Sequence, residues 1–181
     1  MVKDRGVQQM STLIAYFSRA DENYFGGSMR YITKGNTEIA AEKIQAMTDA
    51  DLFKIEMQTP YAKEYMTCIN EAKEHKNQGI RPALKAFPES IDAYDKVILA
   101  YPNYWGTYPM AVLTFLEHFD FSGKEIYPLC TNEGSGMGSS ESDLKKALPG
   151  AVIHRGLSIR GSDVSGADGA IRSWLKENAL L

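Results

Sequence analysis

Lys96-Val97-Ile98-Leu99-Ala100-Tyr101-Pro102-Asn103-Tyr104-Trp105-Gly106-Thr107-Tyr108-Pro109 is the stretch on which the fold turns. Its first half is an almost unbroken apolar run, and its second half crowds Tyr101, Tyr104, Trp105 and Tyr108 among Gly and Pro. An apolar run without polar alternation suits a strand covered on both faces, as in a parallel sheet. Pro102, which carries no N–H, ends it.

Toward the N-terminus the same pattern recurs at Thr12–Phe17, followed by a polar, Gly-containing loop from Ser18 to Gly35. Ile39, Ala40, Ile44 and Met47 then repeat at helical spacing, with Asn36 and Thr37 as cap candidates. Asp51–Glu56 alternates polar and apolar residues, the pattern of an edge strand. Residues 61–78 predict a charged helix closed by Gly79 and Pro82. Toward the C-terminus come a helix at Met110–Phe119, a strand at Lys124–Cys130 and a loop at Thr131–Ser140. A helix at Glu141–Leu148, a strand at Ala151–Ile153 and a terminal helix holding Ile171–Leu175 complete the chain. Strands separated by helices imply βαβ crossovers and a parallel sheet.

The 181 residues suit one domain, taken as 12–181 behind a polar extension at 1–11. A net charge of −3 argues against general affinity for nucleic acid or anionic membranes. No stretch approaches the roughly 20 apolar residues of a membrane span, and the opening MVKDRGVQQM lacks the apolar core of a secretory signal. Cys68 and Cys130 stand far apart, and His75, His118 and His154 form no close pair, so neither a disulfide framework nor a metal site is expected. These features point to a reducing, cytoplasmic setting.

In an open parallel sheet, ligands bind beyond the carboxyl ends of the strands, where strand order reverses. Three loops fall there. In the first, Gly35-Asn36-Thr37 opens a helix whose unpaired N–H groups and dipole can hold a phosphate, with Ser18 and Thr37 supplying hydroxyls. A plain helix cap is the competing reading. Neither GxxxxGK[ST] nor GxGxxG is present, which disfavours a P-loop or a dinucleotide fingerprint. In the second loop, Pro102, Asn103, Tyr104, Trp105 and Gly106 can wall a planar heterocycle, with backbone groups of Asn103 and Gly106 meeting its edge. The third, Thr131-Asn132-Glu133-Gly134-Ser135-Gly136, has glycines able to aim N–H groups at a ligand.

Together these segments resemble the flavodoxin family, and in particular its members with YPNYWG-type second loops. The resemblance runs from Thr12 to Trp174-Leu175 and includes Arg81-Pro82-Ala83-Leu84, Tyr94-Asp95, Phe115-Leu116 and Gly123-Lys124. It implies a doubly wound, three-layer α/β/α sandwich on a five-stranded parallel sheet of order 2-1-3-4-5, with FMN as cofactor. Phosphate contacts then fall to Ser18, Gly35, Asn36 and Thr37. Residues 102–106 line one side of the flavin and 131–136 its other edge. The family's phosphate loop is interrupted here by an insertion, Arg19–Lys34, which lessens any expectation placed on Arg19, Ala20 or Thr33.

Flavin supplies the redox chemistry while the protein controls binding and electronics, so no acid–base side chain is expected to be indispensable. Two readings stand. One is an oxidoreductase passing electrons from NAD(P)H to a quinone-like acceptor; the other is an electron shuttle docking on redox partner proteins.

Overall fold

The computed structural model describes residues 11–181. Of the polar extension expected at 1–11, residues 1–10 lie outside the described residues, and Ser11 already belongs to the first strand.

In chain order, β1 (Ser11–Tyr16) leads into a hairpin of β2 (Asp21–Phe25) and β3 (Ser28–Ile32), then α1 (Asn36–Met47) and β4 (Asp51–Lys54). There follow α2 (Tyr65–Gln78), β5 (Tyr94–Pro102), α3 (Met110–His118), β6 (Glu125–Asn132) and α4 (Ser140–Ala147). The chain closes with β7 (Val152–Ile153), β8 (Leu157–Arg160), a 3-10 turn at Gly161–Gly166 and α5 (Asp168–Glu177).

The main sheet is parallel and runs β4-β1-β5-β6-β7, with β8 also paired to β6. Counting β7 and β8 as one position, this is the expected 2-1-3-4-5 order. The fifth position is split because β7 pairs with Glu125 and Ile126 while β8 resumes at Leu129. Pro128 lies in the gap and has no N–H to donate to a neighbour.

Side-chain alternation explains the unbroken apolar runs. Leu13 and Ala15, with Val97, Leu99 and Tyr101, pack on the face covered by α2, α3 and α4. Their neighbours Ile14, Tyr16, Ile98 and Ala100 pack on the opposite face under α1 and α5. Both faces are dry, so both sets must be apolar. Among the described residues no helix is long and apolar enough to cross a membrane.

Three expectations need correction. The segment 19–34 is a hairpin rather than a loop, turning at Gly26 and Gly27 with φ of 60° and 94°. That pair of positive φ values is the geometry a two-residue hairpin turn demands. The helix expected from residue 61 starts at Tyr65, where the Glu64 carboxylate accepts the Thr67 N–H at 2.9 Å and caps it. The edge strand ends at Lys54 rather than Glu56.

Candidate functional site

β1 is flanked by β4 on one side and β5 on the other, with α1 leaving toward one face and α2 covering the other. Strand order reverses there, and a cavity of about 470 Å³ opens at the carboxyl ends. All three expected loops reach it. Asn36 lines it from the first; Pro102, Asn103, Tyr104, Trp105 and Gly106 from the second; Thr131, Asn132, Glu133 and Ser135 from the third. Ser18, Gly35, Thr37, Gly134 and Gly136, also expected there, are not among its lining residues.

At the first loop the capping roles differ from the sequence expectation. Gly35 is the residue before α1 and neither Asn36 nor Thr37 caps it. Instead the Ser18 hydroxyl reaches across from the end of β1 and accepts the Glu38 N–H at 3.0 Å. Ile39 N–H is taken by Gly35 O at 3.2 Å. The N–H groups of Asn36 and Thr37 have no intrahelical acceptor, so this helix start keeps donors available for an anion. Thr37 is buried, its hydroxyl sharing a 2.7 Å hydrogen bond with that of Thr131, which ties the first loop to the third. Gly35 is required by close approach: a Cβ there would lie 2.6 Å from the Arg19 carbonyl oxygen.

The second loop is a tight turn. Tyr104 N–H donates to Thr107 O at 2.8 Å and Thr107 N–H to Tyr104 O at 3.3 Å, with φ of 55° at Trp105 and 85° at Gly106. Asn103 braces it: Oδ1 accepts the Gly106 N–H at 2.9 Å, Nδ2 donates to Gly136 O at 2.9 Å and the main-chain N–H donates to Thr131 O at 2.8 Å. The expected use of the Asn103 and Gly106 N–H groups at a ligand's edge is therefore corrected. The Asn103 N–H is spent on Thr131 of the third loop, and the Gly106 N–H is spent within the turn on the Asn103 side chain.

Tyr104 packs inward against Phe17 and Tyr61, with ring centroids 6.0 and 6.1 Å apart, and burial holds its hydroxyl well above the ordinary phenol range. Trp105 lines the cavity and stays 42% exposed. Its indole N–H donates to Ile69 O at 2.7 Å, Lys76 Nζ donates to its carbonyl at 2.6 Å and Lys73 Nζ sits 5.0 Å from the ring centroid. α2 thus fixes the one aromatic ring that the turn forces into positive φ.

In the third loop Asn132 Oδ1 accepts the Gly134 N–H at 2.9 Å, while Gly134 and Gly136 adopt φ of 122° and 67°. Glu133 acts as a clasp. Oε1 accepts Ser162 N–H at 2.9 Å, and Oε2 accepts the Ser162 hydroxyl at 3.1 Å and the Gly26 N–H at 3.3 Å. The tip of the inserted hairpin is thereby held to the far rim. Gly161 packs so closely on Asn36 that a Cβ would stand 3.0 Å from both Asn36 Cγ and Glu133 Oε1.

Sequence reasoning missed the remaining walls. The hairpin contributes Arg19, Asn23 and Tyr24, and α2 contributes Tyr65, Cys68, Ile69 and Ala72. The Gly26-Gly27 turn was the available signal for the hairpin. Nothing local to α2 revealed that its face borders the cavity. Burial raises the Cys68 thiol, so it stands there as a neutral group.

A doubly wound sheet with an anion-ready helix start and an aromatic turn at one rim defines a flavodoxin-like α/β protein. A family model described as flavodoxin matches residues 27–178, and the chain belongs to that family. Among solved structures, a candidate flavoprotein from Bacteroides eggerthii DSM 20697 is 30% identical, covering 94% of this chain and 99% of its own, with a TM-score of 0.74. A second, from Bacteroides uniformis ATCC 8492, is 23% identical over 92% of this chain and 98% of its own, with a TM-score of 0.68. A flavoprotein from Lactobacillus acidophilus NCFM, solved in complex with FMN, shares the fold at 18% identity, covering 87% and 97% of the two chains, with a TM-score of 0.62. No curated protein sequence matches the chain.

Proposed function

We propose that this protein binds FMN in the 470 Å³ crevice and is an oxidoreductase taking hydride from NAD(P)H for a quinone or similar acceptor. Family membership supports the cofactor, and so does the fit of the residues. The α1 start, with Asn36, Thr37 and the neighbouring Ser18 hydroxyl, holds the phosphate. Residues 102–106 flank one side of the ring and residues 131–136 its other edge. Bound FMN supplies the reversible two-electron acceptor that no side chain here provides. The chain's own residues bind and orient it, exclude water and set the local charge.

One observation favours an enzyme. The same crevice is lined by Tyr24 of the hairpin and Tyr65, Ile69 and Ala72 of α2, apolar and aromatic surface against which a second flat molecule can pack. A shuttle has no need of that surface. The shuttle reading draws on a different feature: Trp105 and Met66 are 42% and 51% exposed, and Met66 shares a helical stripe with Lys73. Such a rim suits a docking protein.

Anaerobic stopped-flow mixing of the FMN-loaded protein with NADH or NADPH tests the two. Direct bleaching of the flavin band at a saturable rate is the expected result. Bleaching only after a reductase is added would overturn the enzyme reading, and a chain that rejects FMN would overturn both.

A further inference from the structure

Arg19 follows Ser18 directly and opens the insertion, so the sequence places it outside the family's phosphate loop. In the fold it lines the crevice. Its guanidinium is held by main-chain carbonyls alone: Nη1 donates to Glu22 O at 2.6 Å, and Nη2 donates to Ala62 O and Lys63 O, each at 2.7 Å. Nε is buried without a hydrogen-bond partner. Among the described residues no carboxylate forms an ion pair with it.

Carbonyl dipoles orient a guanidinium but leave its full positive charge in place. Around it stand Tyr65 and Cys68 of α2 and Tyr104 of the second loop, all raised by burial and opposed in that rise by Arg19 itself. These neighbours are neutral groups, and the neighbouring carboxylates, Glu22 and Glu71, are turned onto the Tyr65 and Ala62 N–H groups rather than onto the guanidinium. The charge therefore lacks a direct partner in a partly desolvated wall, where it acts more strongly than in water. Glu133 also borders the crevice and keeps its own negative charge, but its carboxylate is anchored on the far rim by Ser162 and Gly26.

We propose that Arg19 is a tuning residue whose fixed charge, held without a direct ion-pair partner, makes the crevice prefer reduced, negatively charged FMN over the oxidised form. This rests on the FMN reading above. Hydride transfer breaks the C4–H bond of the dihydronicotinamide and forms an N–H bond on the flavin ring. Two electrons and one proton arrive together, the nicotinamide leaves as a cation, and the ring is left with one negative charge. A nearby cation stabilises that product and leaves neutral oxidised flavin almost untouched.

The test compares wild type, Arg19→Gln and Arg19→Lys as FMN-loaded proteins, measuring the two-electron midpoint potential and the dissociation constants of oxidised and reduced FMN. Removing the charge is expected to weaken binding of reduced FMN about tenfold more than that of oxidised FMN, or about 30 mV in potential. Arg19→Lys should retain most of the wild-type preference. A merely structural role would weaken both forms equally and leave the potential unmoved, which overturns the proposal. If Arg19→Gln does not fold, wild type decides: reduced FMN held at least as tightly as oxidised supports the proposal, and weaker binding of the reduced form overturns it. Wild-type protein that takes up no FMN would instead refute the functional reading itself.

Discussion

Replacing Gly35 with alanine should destabilise the protein and loosen the proposed phosphate seat, although the backbone at this position is one alanine readily adopts. Gly35 has φ −67° and ψ 150°, ordinary extended geometry. On dihedral grounds alone the substitution would stabilise by about 0.4–1 kcal/mol, by narrowing the unfolded ensemble. The added methyl would, however, stand 2.6 Å from the Arg19 carbonyl oxygen and 2.9 Å from its carbon. Ser18 Oγ, which caps Glu38, would be closer still. The obstacle is main chain at the end of β1, so relief requires the loop to retreat by several tenths of an ångström. Overpacking of this kind costs about 1–3 kcal/mol, which offsets the entropic gain and leaves a net loss of up to about 2.6 kcal/mol. Urea denaturation of the apoprotein should register it as a lower midpoint at unchanged slope. On the proposed reading of the displaced loop as the phosphate seat, FMN titration should show a larger loss than riboflavin titration. Gly169→Ala in α5 is the control: its methyl meets nothing within 4 Å, so the better helix former should be neutral or mildly stabilising. A Gly35→Ala variant as stable as its parent, with FMN affinity intact, would refute this account of the loop.

Thr37→Ala leaves the buried Thr131 hydroxyl without its partner and should cost about 1–3 kcal/mol of stability. It should also weaken FMN more than riboflavin; equal losses would argue against a phosphate role. Glu133→Ala removes the clasp between the hairpin tip and the Ser162 turn. Hydrogen exchange should accelerate across residues 21–32 and leave β1 and β5 protected, whereas an unchanged hairpin would show the clasp to be redundant. Burial pushes the Cys130 thiol up to about 12 and raises Cys68 as well. Neither should react with an alkylating reagent near neutral pH until the protein unfolds, so rapid labelling of the native protein would contradict their burial.

Much of the scaffold was legible because burial on both faces of a parallel sheet leaves a local mark. Thr12–Phe17 and Lys96–Tyr101 have few polar positions, since alternate side chains enter different cores and both cores are dry. The YPNYWG turn and the Gly35-Asn36-Thr37 helix start were likewise local signals, and both come to one rim. The capping at that rim was not legible. Ser18, rather than Asn36 or Thr37, takes the helix N–H, a contact that exists only when the end of β1 meets the start of α1.

The chain's pattern by itself thus determined the alternation of strands and helices and the loops that meet at one crevice, while the flavodoxin family was legible as a resemblance. Hydrophobic periodicity and turn chemistry act over a few residues and can be read there. Only the tertiary structure decided that Asn103 braces two loops, that α2 and the inserted hairpin wall the crevice, and that Arg19 carries an unpaired charge into it. Those facts depend on groups brought together from distant parts of the chain, whose partners are chosen by packing and by the need to satisfy buried polar atoms.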